Sequence, residues 1–213
     1  TETFKLVGAE ALVRWQRLDG KFVYPDEFIP LIERSGQIVD VDYYVYREAF
    51  QFLAKRLQEG KKVVPISLNV SRVHLNKMNI LEYVKELFEE FKIPHDLVEF
   101  ELTESIYLDN TEKALQLVDG LHKMGTKVSM DDFGSGYANL NTVLKLPFSV
   151  VKMDRSLLTG VTCDEQAAVF YRSIVMVMQN MGYHIVAEGA ETKEEVDLLQ
   201  TWGVDMIQGY YFS

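Results

Sequence analysis

The chain has 213 residues, with 32 Asp plus Glu against 22 Lys plus Arg, a formal net charge of -10. At 47% hydrophobic and 25% charged it has the composition of a folded globular protein rather than a disordered tail, and its length allows one domain or at most two small ones. The acidic excess argues against a protein that grips duplex nucleic acid by its phosphates, and any phosphate ligand would need help, for instance from metal ions.

Cys163 is the single cysteine, so no internal disulfide can form, which fits a reducing compartment. No apolar run approaches a membrane span and no signal-peptide pattern opens the chain. These features point to a cytoplasmic domain, or to the cytoplasmic part of a larger, membrane-tethered protein. The start without Met and the end inside an apolar segment, Tyr210-Tyr211-Phe212-Ser213, suggest a single domain trimmed at both ends.

In chain order, a β-type run over 9–15 leads to helix-period segments over 26–34 and 39–59. A strand over 63–70 follows, then a helix over 80–91, a strand over 98–103 and a helix over 111–124. Strands over 127–130 and 150–154 precede a helix over 164–181. A strand over 184–188, a helix over 192–202 and a strand over 205–212 complete the series. Thr192 with Glu195 reads as a capping box, and Gly60, Gly125, Gly182 and Gly203 read as left-handed helix ends. Strands alternating with helices predict an α/β fold with a mainly parallel sheet. Seven strands fall one short of a closed barrel. The leading architecture is therefore a TIM-like (β/α) barrel lacking its first strand, with a doubly wound open sheet as the rival.

Alternation along the strands puts polar side chains on one common face. Glu10, Leu12 and Arg14 share a face, as do Ser67 and Asn69, Glu99, Glu101 and Thr103, Ser129 and Asp131, and Lys152 and Asp154. Strands covered by helices are normally apolar on both faces, so charge here is informative. Five carboxylates, Glu10, Glu101, Asp131, Asp132 and Glu188, lie near strand ends with Asn69, Gln208 and Lys152. Barrel enzymes keep their catalytic groups there. Such a cluster needs compensating positive charge. All-oxygen donors without Cys or His point to Mg²⁺ or Mn²⁺, with Ca²⁺ as an inert occupant. Lys152 and two divalent ions would balance the five carboxylates. The tandem Asp131-Asp132 lets one carboxylate bridge two ions.

The residues also spell a family pattern. It runs through Glu10-Ala11-Leu12 with Arg14-Trp15, Phe28-Ile-Pro-Leu-Ile-Glu33, Asn69-Val-Ser71 and Glu101-Leu-Thr-Glu104. It continues in Asp131-Asp-Phe-Gly-Ser-Gly-Tyr137, Val151-Lys-Met-Asp-Arg-Ser156, Ala187-Glu-Gly-Ala-Glu191 and Gln208-Gly-Tyr210. In this the chain resembles, over nearly its whole length, the EAL domain, the bacterial phosphodiesterase of cyclic di-GMP. The resemblance implies Glu10, Asn69, Glu101 and Asp131 at a first metal, with Asp131 bridging, and Asp132 and Glu188 at a second. It implies Lys152 on the attacking water, Gln208 supporting the site through water, Glu104 anchoring the loop after Asp132, and Glu191 behind Glu188. Leu12, Arg14 and Asp154 would contact substrate. The implied reaction is hydrolysis of cyclic di-GMP to linear pGpG by a two-metal-activated water. The implied partners are a second copy of the domain and covalently linked sensor or cyclase domains. Ala190 and Ser135 depart from the common pattern outside the chemistry, and the family's opening strand with its Gln-Pro pair precedes Thr1. The alternatives are a catalytically silent cyclic di-GMP receptor and a one-metal barrel enzyme with a lysine base.

Overall fold

The computed structural model describes residues 5–77, 79–103, 106, 110–136 and 147–212, apart from the Lys77 side chain. They fall into two compact units, one of Gly8–Leu102 with Asp109–Lys127, the other of Thr1–Val7 with Thr103–Leu108 and Val128–Ser213.

In the first unit, β1 (Ala9–Ala11), β4 (Ile66–Asn69) and β5 (Val98–Thr103) run parallel in the order β1-β4-β5. Glu10 pairs in register with Ser67, and Asn69 with Glu101. The helix Ile38–Gln58 buries Ile38, Val39, Tyr46, Ala49, Phe50 and Leu53, a stripe at helical spacing. Phe50 meets Phe88 of the helix Ile80–Phe91 edge to face at 4.8 Å, and Tyr46 meets Phe100 of β5 at 5.6 Å. Each fully buried ring contributes about 1.5–3 kcal/mol of transfer free energy. The helix Thr111–Lys123 starts at Asn110, whose side chain accepts from Lys113 N.

Three expected strands are shorter, over 9–15, 63–70 and 205–212, the first most instructively. The run over 9–15 leaves β1 after Ala11, because Trp15 and Gln16 (β2) pair antiparallel with Phe22 and Val23 (β3). Arg17 N donates to Lys21 O at 2.8 Å across a turn in which Gly20 takes φ 83°. Strand alternation therefore governs Glu10 but not Leu12 or Arg14.

In the second unit the parallel order is β6 (Lys127–Phe133), β7 (Val150–Met153), β8 (His184–Glu188) and β9 (Met206–Gln208). β7 is buried along its whole length, as a strand covered on both faces should be. Asp164 and Thr192 cap the helices Glu165–Asn180 and Lys193–Thr201, and Thr192 makes the expected capping box with Glu195. β6 extends three residues beyond the sequence expectation and carries both Asp131 and Asp132 inside the strand. β9 ends at Gln208, and Tyr210–Phe212 turns into a 3-10 helix whose Tyr211 N donates to Ala190 O. Gly60, Gly125, Gly182 and Gly203 all take positive φ, as expected at helix ends.

Candidate metal centre

Among the described residues, the second unit holds the group of acids that could take a metal ion. Oxygens of Asp131, Asp132 and Glu188 lie within 4.8 Å of one another. Lys152, on β7 between these two strands, is only 3% exposed. Its Nζ stands 3.2 Å from Asp131 Oδ1 and 2.9 Å from Glu188 Oε1. Two neighbouring residues of a regular strand face opposite sides. Here the pairing of β6 with β7 shifts register between Met130 and Phe133, and Asp132 takes φ 57°. Aspartate tolerates that left-handed conformation better than most residues. The irregularity turns two consecutive carboxylates towards one place.

The charges do not balance by themselves. Three carboxylates against one ammonium leave two negative charges in a partly buried cluster. Asp131 Oδ1 is buried and makes no hydrogen bond, only the ion-pair contact with Lys152. A buried carboxylate oxygen held by a single ammonium, among hard oxygen donors, fits a divalent cation. Gln208 stands in register beside Glu188, at the exposed end of β9. Tyr171 is fully buried, and burial first, then the charge of Glu188, pushes its phenol well up, so it stays protonated.

Around this cluster, Glu191 pairs with Arg155 at 2.8 Å. Asp154 caps the short helix Arg155–Leu158 by accepting from Ser156 N at 2.9 Å, and its own N–H donates to Phe133 O. Gly189 takes φ 73°, and a Cβ there would lie 2.6 Å from Arg155 Cβ.

In the first unit, Asn69 Nδ2 donates to Glu10 Oε1 at 2.8 Å. Val70 N donates to Glu101 O, and Glu101 is buried. Leu12 and Arg14 are exposed, and Arg14 Nη1 donates to Val13 O. They line a concavity of about 480 Å³ with Glu10, Tyr44, Glu48 and Phe52. Glu104 and residues 137–141 of the loop over 133–141 lie outside the described residues.

Two residues of weight escaped the sequence reading. Asp42 and His74, both buried, meet at 2.9 Å. The available signal was an acid at position 42 inside the apolar stripe of its helix.

The EAL domain family profile matches residues 1–213. The chain belongs to the EAL domain family. It is 31% identical over 212 residues to the oxygen sensor protein DosP of Escherichia coli (strain K12), covering 100% of this chain and 26% of that protein. It is 30% identical over 204 residues to the cyclic di-GMP phosphodiesterase PdeR of the same organism, covering 96% and 31%. The chain thus spans a quarter to a third of these relatives. The solved structure of PaMucR phosphodiesterase in complex with c-di-GMP superposes with a TM-score of 0.90 at 29% identity, covering 98% of this chain and 85% of that one. The fold is accordingly the TIM-like (β/α) barrel type of the EAL domain, without its first strand. The FimX EAL domain from Pseudomonas aeruginosa shares that fold at 19% identity, with a TM-score of 0.87 over 95% of this chain and 81% of that one.

Proposed function

We propose that residues 1–213 form one EAL-type domain of a longer, cytoplasmic-facing protein. It hydrolyses cyclic di-GMP to linear pGpG with Mg²⁺ or Mn²⁺. The observation that carries this reading is the cluster of Asp131, Asp132 and Glu188 around Lys152. The family match over the whole chain supports it. Relatives that are sensors or bifunctional proteins support linked sensor or cyclase domains. The family resemblance supports pairing with a second copy.

Glu10, Asn69, Glu101 and Asp131 would hold one ion, and Asp132 and Glu188 a second. When bound, the ions lower the pKa of a water and withdraw charge from the phosphoryl oxygens. Lys152 orients the attacking water and meets the negative charge that grows at phosphorus. The new P–O bond forms in line with the breaking P–O3′ bond. Arg14, always charged and able to bind in two-pronged fashion, takes a phosphate, while Leu12 and Asp154 line the substrate's approach. Gln208 supports the water, and Glu191 fixes the segment after Glu188 through Arg155.

Incubation of the protein with cyclic di-GMP and Mn²⁺ or Mg²⁺ is expected to release pGpG, and Ca²⁺ to bind without turnover. Tight nucleotide binding in EDTA, with no pGpG once metal is restored, would replace the enzyme by a receptor.

A further inference from the structure

The segment that follows Asn69 is held by side chains that no part of the proposed reaction uses. Tyr46, fully buried, donates its hydroxyl to Asn69 O at 2.9 Å. Two residues on, Ser71 N donates to Asp42 Oδ2 at 3.3 Å, and Ser71 Oγ donates to Glu33 Oε1 at 2.7 Å. His74 Nε2 meets the same Asp42 oxygen at 2.9 Å. Tyr46, Asp42 and Glu33 come from two helices, Pro25–Ser35 and Ile38–Gln58, so the turn is fastened from outside its own strand.

This arrangement is costly for a merely structural loop. Burial is the largest influence on the Asp42 carboxyl and pushes it up, with Glu33 adding to that. The His74 ring and Ser71 N pull the other way. His74 is fully buried with Nδ1 bonded to nothing. Buried polar groups left partly satisfied are costly, so one expects them where a position has to be held. The position held here is Asn69, whose side chain reaches Glu10 Oε1 and whose neighbour Val70 binds Glu101 O.

We infer that Tyr46, Ser71, Asp42, His74 and Glu33 form a clamp that positions Asn69 and, through it, Glu10 for a divalent cation. They are positioning residues, and the inference rests on the proposed metal-binding role of Asn69 and Glu10. The clamp's product is geometry at the ligand, so its loss shows in ion affinity first. Groups behind a metal ligand typically change affinity or activity about 10–100-fold when removed.

The test uses the whole protein with Mn²⁺ as probe, titrated by electron paramagnetic resonance, alongside pGpG release. Tyr46→Phe, which removes only the hydroxyl, and His74→Ala are expected to weaken Mn²⁺ about 10–100-fold. They should lower kcat more than they raise KM for cyclic di-GMP. His74→Gln, whose amide can still donate to Asp42, is expected to recover most of the affinity. Tyr83→Phe removes a buried-side phenol that bonds Tyr43 O in the same unit, and should leave Mn²⁺ binding unchanged. Mn²⁺ affinity within twofold of the parent in both Tyr46→Phe and His74→Ala, with only a lower melting temperature, overturns the clamp. If the parent protein binds Mn²⁺ and cleaves while the variants match it, the clamp alone fails. If the parent neither binds nor cleaves, the reading of the site falls with it.

Discussion

At the scale of single residues, the decisive feature is one ammonium among three carboxylates. Lys152 is buried, and it contacts two of the acids that would otherwise repel each other. Lys152→Met should therefore split two properties. Turnover is expected to fall by about two to three orders of magnitude, if Lys152 is the oriented donor proposed for the attacking water. Mn²⁺ binding is expected to hold or tighten, because removal of a positive charge leaves the carboxylates more negative. Parallel measurement of pGpG release and Mn²⁺ titration checks this, and a joint loss of both would contradict it. Asp205 gives a second residue-scale prediction. Burial raises its carboxyl, but donation from Ile185 N at 2.9 Å and contacts with His184 and Gln179 outweigh that and bring it below the usual range. A lowered folded pKa means stabilisation present above the unfolded value of about 3.9 and lost as pH falls through the folded one. Asp205→Asn should thus cost about 1 kcal/mol near neutral pH, the bond being half exposed. In urea titrations the gap should close as pH falls below the ordinary carboxylate range; an undiminished gap there would assign the effect to packing instead.

At the scale of elements, the local patterns carried far. Apolar spacing located the long helices within a few residues, and the capping box at Thr192 and the glycines after four helices marked their ends. The misses have a common cause. β1 stops at Ala11 because a tight antiparallel pair claims Trp15 and Gln16. β6 runs on through Asp131 and Asp132 because β7 supplies a partner beyond the point where alternation fails. Strand partners decided both, a local hairpin for β1 and a later strand for β6, and single-strand periodicity cannot see them. Tight packing between elements also sets a testable limit at Gly209, just after β9. A Cβ there would run into the backbone carbonyl of Ala190 and stand 2.5 Å from its nitrogen. Gly209→Ala is expected to destabilise by about 2–3 kcal/mol, since backbone cannot step aside. Gly160→Ala meets open space at φ 84° and should cost about 1 kcal/mol from conformation alone. Thermal unfolding of the two variants compares them directly, and equal losses would dismiss the steric account.

At the scale of the whole molecule, the net charge of -10 becomes intelligible. Part of it is concentrated in the group of Asp131, Asp132 and Glu188, all-oxygen donors of the kind hard cations take. Metal should consequently act as a folding ligand. At about a hundredfold excess over its dissociation constant, a cation that binds only the folded chain adds about 2.7 kcal/mol. Mn²⁺ should raise the melting temperature, EDTA should reverse the gain, and Ca²⁺ should raise it without pGpG release. Unchanged melting with both ions would remove the metal centre. The sequence by itself determined the α/β class, the family, the helix faces and the acids set at strand ends, because these depend on spacing along the chain and on residue types. Among the described residues, only the tertiary structure decided which groups meet: the bulge that turns Asp131 and Asp132 together, Lys152 between Asp131 and Glu188, and the Asp42–His74 pair behind Asn69. Those are contacts between segments far apart in sequence, and their geometry comes from packing, which no local pattern records.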